Sequence, residues 1–480
     1  MRTTTELNRG RTAAAPDLAS PAANRAAEGP ARARSLGPTP GGRSTALPST
    51  EAGPRQLRTK LAKRLNKLLF ACGEDTDSRE HLANRPDLAQ ALVEDAIGAR
   101  ASDIHLEPGP SEVRVRLRID GAVSDVAALT LEQGRWLTNQ FSALANLDPV
   151  VRFTPTDSHA RLTVDHSTVD LRLALAPCQQ GEALSIRLLD SKRLERSIDD
   201  LGLTEASLKQ LEDWLNNVNG MFLAVGPTGC GKTTTLYALL HEIKFADRIA
   251  VSIEDPVEYE VPGITQVQVD AQHRLSFADG VKAMLRLDPD FLMIGEIRDA
   301  ASAHAAVDAA ITGRVLLSTV HSRDAVGAIT ALRNWGLPDH EIAESLAVVV
   351  AQRLARRLCP DCRKITPVTE NETRWLTSLG LPIPKVAWTA SGCSKCNGLG
   401  YFGRTGIFEF WRLRESDYRL ILDHADEHTL RQNFTESHHG NLLTDGLAKV
   451  SAGVTSLAEI RRVSSGAFPA DSLDAIEVKS

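Results

Sequence analysis

The sequence predicts an α/β protein in which a parallel-sheet domain is preceded by a smaller α+β domain and followed by a cysteine-bearing module. Short apolar strands alternate with helical patterns between Met221 and Gln352, as a parallel sheet requires. Before this region, apolar and charged residues alternate at strand spacing, which is typical of half-buried strands. After it come two C-x-x-C pairs. These three observations define the domain plan.

Length and composition limit the possible classes of protein. The chain has 480 residues, which corresponds to about three domains at roughly 100–200 residues each. Hydrophobic residues make up 42% of the chain, enough to build sizeable cores, and the net charge is −6. A negative charge disfavours a protein whose main role is to grip phosphate backbones. The sequence also lacks an apolar stretch of membrane-spanning length and the apolar core of a secretory signal, so we expect a cytoplasmic protein.

The first part of the chain predicts little folded structure. Residues 1–54 are rich in Ala, Pro and Arg, and the first 50 contain no Phe, Tyr, Trp, Ile or Val, so we expect a disordered tail. Its arginines could also imitate a transit peptide, although prolines such as Pro16, Pro21, Pro30 and Pro38 interrupt any helix there. Over 55–73, leucines recur at helical spacing opposite Lys and Arg, which predicts a basic amphipathic helix. Its charged face is either simply solvated or docks on an acidic partner or an anionic membrane surface.

Helix and strand signals alternate over 85–195. Leu88, Leu92 and Ile97 predict a helix, while Val113 to Ile119 alternates with arginines before an Asp120-Gly121 turn. A second alternating run surrounds Arg172. The region therefore predicts a small α+β domain, and the strands after it predict a parallel α/β domain over 206–355.

A phosphate-binding loop lies after the first strand of the parallel domain. The motif G-x-x-x-x-G-K-[ST] is matched by Gly226, Pro227, Thr228, Gly229, Cys230, Gly231, Lys232 and Thr233. The helix that follows is expected to begin near Thr234. Backbone N–H groups in such a loop point into its hollow, and the helix dipole adds positive charge. We expect Lys232 to reach the β- and γ-phosphates of a nucleotide and Thr233 to offer its hydroxyl to Mg²⁺. The alternative is a glycine-rich loop without a ligand.

Two acidic clusters follow later strands of the same sheet. Glu254, Asp255 and Glu258 end one predicted strand, and Glu296 ends another. Both clusters should open at the carboxyl edge of the sheet, beside the phosphate loop, where they could hold Mg²⁺ and orient water. Such acids are often helix caps or solvated loop residues instead. His321 ends a further strand, and we interpret it as a sensor of the γ-phosphate, although a lone histidine is often structural.

The cysteines predict a structural metal site within a module at 356–412. The pairs Cys359/Cys362 and Cys393/Cys396 can each wrap one side of a tetrahedral Zn²⁺, which leaves no position for water. The competing interpretation is a redox pair, which would need one motif at a helix start. A helical segment is expected at 413–463 and a disordered tail at 464–480.

The order of motifs resembles the type II secretion and type IV pilus assembly ATPases, the GspE/PilB group. The resemblance covers about residues 85–463. The motifs that carry it, besides the phosphate loop and His321, are Ala101–Pro108 (ASDIHLEP), Arg114–Gly121 (RxRxRxDG), Gly181-Glu182, Ile253–Glu258 (IEDPVE), Leu285–Asp290 (LRxDPD), Ile294–Asp299 (IGEIRD) and Gly400–Gly406 (GYxGRxG).

The resemblance implies a RecA-like ATPase domain, a PAS-like small domain and roles for single residues. It implies that Glu258 activates water and that Glu296 binds the metal's water. It also implies that Arg172 and Arg187 of the small domain point at the nucleotide, with Arg286 as a further arginine of the site. A guanidinium fork stabilises charge on a transferring phosphoryl group. The alternative is that Arg172 and Arg187 face solvent.

The resemblance further implies a hexameric motor that hydrolyses ATP with Mg²⁺ and carries Zn²⁺. Such a motor powers assembly of a pseudopilus or type IV pilus and the associated secretion, recruited to inner-membrane platform proteins. Its alternatives are a nucleic-acid translocating or DNA-uptake motor, a pilus-retraction ATPase, and a silent nucleotide-binding scaffold. Retraction ATPases lack the cysteine module, and the acidic charge and 5% aromatic content argue against stable nucleic-acid binding.

Overall fold

The computed structural model describes residues 87–147, 154–164, 167–189, 196–243, 247–269, 276–437 and 440–464. The tail predicted at 1–54, the basic helix predicted at 55–73 and all but the first residue of the tail predicted at 464–480 lie outside the described residues. Within the part that the structure describes, no helix is long and apolar enough to cross a membrane.

The first domain is an antiparallel six-stranded sheet with two helices, as the alternating pattern predicts. Its elements are α1 (Leu88–Gly98), β1 (Ala101–Pro108), β2 (Glu112–Ile119), β3 (Ala122–Thr130), α2 (Leu131–Leu144), β4 (Thr156–Val164), β5 (Ser167–Cys178) and β6 (Gly181–Leu189). The strand order is β3-β2-β1-β6-β5-β4. Apolar residues at every second strand position meet one face of each helix in a continuous core.

The second domain contains the predicted parallel sheet, covered by helices on both faces. Short apolar strands such as Met221–Val225 are buried along their whole length, which is why they form continuous hydrophobic runs. The elements are a 3₁₀ turn (Ile198–Leu201), α3 (Glu205–Leu215), β7 (Met221–Val225), α4 (Lys232–Glu242), β8 (Ala250–Glu254), β9 (Ile264–Gln268), α5 (Phe277–Met284), a second 3₁₀ turn (Leu285–Leu287), β10 (Phe291–Ile294), α6 (Ala300–Ile311), β11 (Val315–Val320), α7 (Ala325–Asn334), α8 (Asp339–Ser345) and β12 (Leu346–Leu358).

The sheet extends beyond the 206–355 limits that the sequence predicts. Its order is β15-β12-β7-β11-β10-β8-β9, where β15 is Tyr401–Arg412. The sequence places residues 401–412 in the cysteine module, but β15 pairs antiparallel with β12 over most of its length. The chain leaves the sheet at the end of β12, forms the module, and returns to the sheet.

In the chain, the module precedes this returning strand and the C-terminal segment follows it. The module contains β13 (Arg363–Thr366), α9 (Glu370–Ser378) and β14 (Ala387–Ala390), and its two strands pair antiparallel. The predicted helical segment comprises α10 (Glu415–Leu422), α11 (Glu427–Ser437), α12 (Leu442–Ser451) and α13 (Leu457–Ser464). Glu459 of α13 is buried and pairs with Arg356 of β12 at 2.8 Å and with Arg462 at 2.6 Å. These ion pairs lower the pKa of Glu459 to about 2 against the cost of burial and fix α13 to the sheet.

Candidate active site

The phosphate loop joins β7 to α4 at the carboxyl edge of the parallel sheet. Gly226, Gly229 and Gly231 all have positive φ, so the loop uses the left-handed backbone that glycine adopts readily. A Cβ added to Gly226 would lie 2.7 Å from the backbone oxygen of Gln352. Glycine is therefore required at this position by space as well as by conformation. The loop has the tight form that lets phosphate approach the backbone.

Lys232 places a buried cation inside this loop. Its Nζ donates to the backbone oxygen of Gly226 at 2.8 Å and to that of Pro227 at 3.3 Å. Burial lowers the pKa of Lys232, and the carboxylate of Glu296 opposes that change. The lysine is thus held in the hollow where an anionic ligand would be bound, and the residues of the loop fit a nucleotide phosphate.

Sequence-distant residues meet around one cavity of about 1390 Å³. All nine loop residues from Gly226 to Thr234 line it, together with the acidic residues after β8 and β10 and with His321. These loops share an edge because β7, β11, β10 and β8 are parallel neighbours. The small domain contributes Arg118 and Arg187 to the same wall. The cavity therefore lies between the small domain and the parallel sheet.

Glu254 lies at this edge but is held in a buried hydrogen-bond network. Its carboxylate accepts from the Tyr237 hydroxyl, from Ser252 Oγ at 2.6 Å and from Gln266 Nε2 at 3.1 Å. The side chain is buried, and the three donors lie on α4, β8 and β9. Glu254 lines the cavity, and its main contacts brace the strand end on which Asp255 and Glu258 are placed.

Glu258 follows this braced turn and faces the small domain. Its backbone N–H donates to the Tyr237 hydroxyl at 3.3 Å, and its Oε2 lies 4.0 Å from Nη2 of Arg172. Burial raises the pKa of Glu258 above the usual glutamate range, while the charges of Arg172 and Arg187 lower it. A half-buried carboxylate with a raised pKa is a better proton acceptor than an ordinary surface glutamate.

Glu296 is held by two basic partners. Its Oε1 lies 2.5 Å from Nε2 of His321, and its Oε2 accepts from Nε of Arg298 at 2.8 Å. Arg298 also donates from Nη1 to Asp255 at 2.9 Å, so it joins the two acidic clusters. The sequence places Arg298 within a motif without giving it a role. Its charge next to two acids is the signal that would have indicated this bridge.

The arginines predicted for the site are not all placed alike. Arg187 lines the cavity and pairs through Nε with Asp103 at 3.2 Å, and Arg172 meets Glu258 as described. Asp103 also lies 3.5 Å from Nε of Arg118, so one buried acid holds two cavity arginines. Arg286 lies in the exposed second 3₁₀ turn, and the cavity wall does not include it. The structure therefore does not bring Arg286 to the cavity of its own chain, and its role stays a prediction.

The Sγ atoms of the four cysteines in the module lie within 4.8 Å of one another. The Sγ atoms of Cys359 and Cys393 are 3.7 Å apart, those of Cys362 and Cys396 are 3.9 Å apart, and those of Cys393 and Cys396 are 3.7 Å apart. A Zn–S bond of about 2.3 Å in a tetrahedron gives S···S edges of about 3.8 Å, whereas a disulfide needs about 2.05 Å. Backbone N–H groups of Cys393 and Gly400 donate to Cys396 Sγ. This donor set fits a four-thiolate metal site.

One cavity is thus lined by a phosphate loop, by two sets of acids and by arginines of the small domain. These features define the class of this protein as a P-loop ATPase. The model of the family described as "Type II/IV secretion system protein" matches residues 79–462, so the chain belongs to that family.

Named relatives agree with this family. The chain is 36% identical over 421 residues to "Type II secretion system protein E" of Aeromonas hydrophila, covering 86% of this chain and 83% of that protein. It is 36% identical to "Type II secretion system ATPase E" of Vibrio cholerae, covering 82% and 79%. It is also 36% identical to "Type IV pilus assembly ATPase PilB" of Myxococcus xanthus, covering 81% and 70%. The protein is thus an ATP hydrolase of the group that serves secretion and pilus assembly.

Solved structures support the fold. The ATPase DotB of Legionella pneumophila superposes with a TM-score of 0.58 at 19% identity, covering 82% of this chain and 98% of that one. The pilus retraction motor PilT, solved with ADP, superposes with a TM-score of 0.54 at 21% identity, covering 79% and 96%. At these identities the likeness concerns the architecture alone. It agrees with the predicted RecA-like domain preceded by a small α+β domain.

Proposed function

We propose that this protein is a Mg²⁺-dependent ATPase motor that works as a hexameric ring and drives assembly of a pseudopilus or type IV pilus. One observation carries the proposal: Lys232 of the phosphate loop, Glu258 of the sheet edge and Arg187 of the small domain line one cavity. Binding, water activation and charge stabilisation are therefore available within a single chain. A site built between two domains also couples the nucleotide to their relative motion.

Each side chain has a defined part in hydrolysis. The loop N–H groups and Lys232 bind the phosphates. Glu258 accepts a proton from a water molecule while the oxygen of that water attacks the γ-phosphorus. Arg172 and Arg187 stabilise the charge that develops on the phosphoryl oxygens. Arg187 is itself 61% exposed, and the buried Asp103 keeps Ser102 Oγ at 2.8 Å and Arg118 at 3.5 Å as partners when Arg187 leaves. Arg187 can therefore exchange Asp103 for a phosphate at little cost.

Two metals have suitable ligands on this chain. Thr233 and Glu296 would hold Mg²⁺, directly or through water, and the ion would neutralise phosphate charge. Cys359, Cys362, Cys393 and Cys396 would hold Zn²⁺ in a closed structural site. His321 contacts Glu296, and this contact supports its proposed role as a sensor of the γ-phosphate.

We place the motor in the cytoplasm, peripherally recruited to inner-membrane platform proteins. The named relatives serve protein secretion and pilus assembly, which supports this setting and does not favour a nucleic-acid motor.

The deciding experiment measures ATP hydrolysis and molar mass of the full chain, with and without Mg²⁺. We expect Mg²⁺-dependent turnover by a six-chain species, unchanged by single-stranded DNA. A monomer with full activity would exclude the ring, and strong stimulation by DNA would favour the translocase alternative.

Arg187→Ala should lower turnover far more than it weakens ATP binding. An arginine that acts on the transition state contributes about 10³-fold or more to hydrolysis, whereas its loss from the ground state should change the Kd by less than about tenfold. The measurement is kcat beside the Kd of a fluorescent ATP analogue. Arg161→Ala is the matched control, since Arg161 lies in the same domain but pairs with Asp170 at the surface. Equal losses in kcat and Kd would exclude a transition-state role for Arg187.

Arg172→Ala should move the acid limb of the pH–rate profile to higher pH. Glu258 works as a base only when deprotonated, and burial already raises its pKa. Arg172 opposes that rise, so its removal should raise the pKa further and demand a higher pH for activity. The profile of kcat/KM between about pH 5 and 9 measures this shift. Arg161→Ala should leave the limb in place, and an unmoved limb in Arg172→Ala would show that Arg172 does not act on Glu258.

A further inference from the structure

The neighbour of the phosphate loop in the sheet is a buried glutamine. Strand β12 runs parallel to β7, with Val350 beside Ala224 and Ala351 beside Val225. The next residue, Gln352, therefore lies where β7 gives way to the loop. The residue is 2% exposed, and a buried amide must find partners for its donor and its acceptor.

Both partners of Gln352 belong to the phosphate-binding element. Its Nε2 donates to the backbone oxygen of Cys230 at 2.9 Å, and its Oε1 accepts from Oγ1 of Thr235 at 2.9 Å. Cys230 lies inside the loop, and Thr235 lies in the first turn of α4. One side chain thus joins the loop to the start of its helix, from outside the motif.

The bond to Cys230 fixes the direction of a peptide group. In a trans peptide the carbonyl oxygen and the following N–H point in opposite directions. Holding the Cys230 oxygen toward Gln352 therefore turns the N–H of Gly231 the other way, away from β12. A Cβ added to Gly231 would lie 3.2 Å from Nε2 of Gln352, so the glutamine packs directly on this peptide.

We propose that Gln352 is a positioning residue for nucleotide phosphates, which it affects by holding the Cys230–Gly231 peptide of the loop in its anion-binding orientation. The inference rests on the proposed function of the loop as an ATP site. Gln352 contributes to the binding of any nucleotide that places a phosphate in the loop, ADP as well as ATP. It acts on affinity and not on the attacking water.

The amide is suited to this role because it donates and accepts at once. An ionised glutamate offers acceptors alone and would face the Cys230 oxygen with like charge. Methionine has a similar length and flexibility but makes neither bond. Gln352→Met therefore removes the two hydrogen bonds with little loss of packing, and Thr235→Val removes the bond to α4 from the opposite side.

The test measures the Kd of ADP and of a non-hydrolysable ATP analogue, together with KM and kcat, on the full chain. Gln352→Met should raise both Kd values and KM about tenfold, as expected for the loss of roughly 1.4 kcal/mol of binding. At saturating ATP, kcat should change by less than about threefold. Thr235→Val should act in the same direction, and the double variant should be less than additive because the two residues share a bond.

A purely structural role predicts a different result. It would lower the melting temperature or the fraction of active sites and leave the Kd and KM of the folded protein unchanged, and this outcome would overturn the inference. Thr455→Val is the matched control. The buried Thr455 donates to the backbone oxygen of Arg356 at 2.8 Å, and Arg356 lies on β12 like Gln352 but farther from the phosphate loop. It should lower stability without changing affinity.

Two further outcomes separate the inference from the function on which it rests. If the unmodified chain binds no nucleotide, the proposed function fails; if it binds normally and Gln352→Met binds equally well, the inference alone fails. Should Gln352→Met not fold, Thr235→Val decides the question. An unchanged ADP Kd in a folded Thr235→Val variant would then reject the role of Gln352.

Discussion

Glu258→Gln should abolish ATP hydrolysis while leaving ATP binding nearly intact. Glutamine has the same shape but is not a base, so it keeps the contact with Arg172 and loses the ability to take a proton from water. Removal of a general base costs about 10²–10⁴ in rate. The phosphates are bound elsewhere, by the loop and Lys232, so the Kd for ATP should change by less than about threefold. Single-turnover hydrolysis and equilibrium binding measure the two quantities on one preparation.

The sequence offers a close control for this substitution. Glu260 lies two residues further along, is exposed and does not line the cavity. Glu260→Gln therefore makes the same chemical change and removes the same charge at a position outside the site. It should retain full turnover. A Glu258→Gln variant that hydrolyses ATP at the normal rate would move the base to another acid of the cavity. A variant that loses binding as well would show that Glu258 holds the nucleotide or the loop instead.

Most of the architecture could be predicted because its signals are local. The buried strands of the parallel sheet are mostly apolar runs, and the half-buried strands of the small domain alternate, so the local pattern indicates the kind of sheet that each strand joins. The loops at the carboxyl edge then follow from parallel topology. Strand β15 could not be placed in this way. Its pairing with β12 joins residues on opposite sides of the cysteine module, and no local pattern specifies such a long-range partner.

The site was predictable in its residue types but not in their contacts. Glu254 and Glu258 belong to one acidic motif, and the sequence alone assigns both to the nucleotide. The structure gives the Glu254 carboxylate three internal donors, of which Tyr237 and Gln266 come from other elements of the fold. These distant donors decide that the carboxylate of Glu254 is held in an internal network, whereas that of Glu258 faces the cavity. The same reason hides Gln352, whose partners become apparent only when β12 lies beside β7.

The cysteine cluster gives the second large expected effect. Cys393→Ser should reduce bound zinc from one ion per chain to almost none, because a hydroxyl does not replace a thiolate at a soft-ligand site. Structural zinc sites contribute about 10–16 kcal/mol of binding free energy in small zinc domains. Losing one ligand of four should therefore loosen the two cysteine turns, which form a small cluster of their own. The rest of the module should stay attached, because Trp375, Leu376 and Ala387 are buried in a core shared with the C-terminal helices. Metal analysis and limited proteolysis measure these effects.

Cys178→Ser is the appropriate control, since Cys178 is an exposed free cysteine of the small domain and should not affect metal content. The phosphate loop lies outside the module, so ATP affinity of the Cys393→Ser variant should be retained. Its turnover is more informative. It should fall, because β12 leads from Gln352 directly to Cys359 and β15 returns from the module to the same sheet, so loosened cysteine turns remove a support from the edge of the ATPase domain. A variant with normal zinc would reject the ligand set. A zinc-free variant with normal proteolytic stability would show that the module folds without its metal.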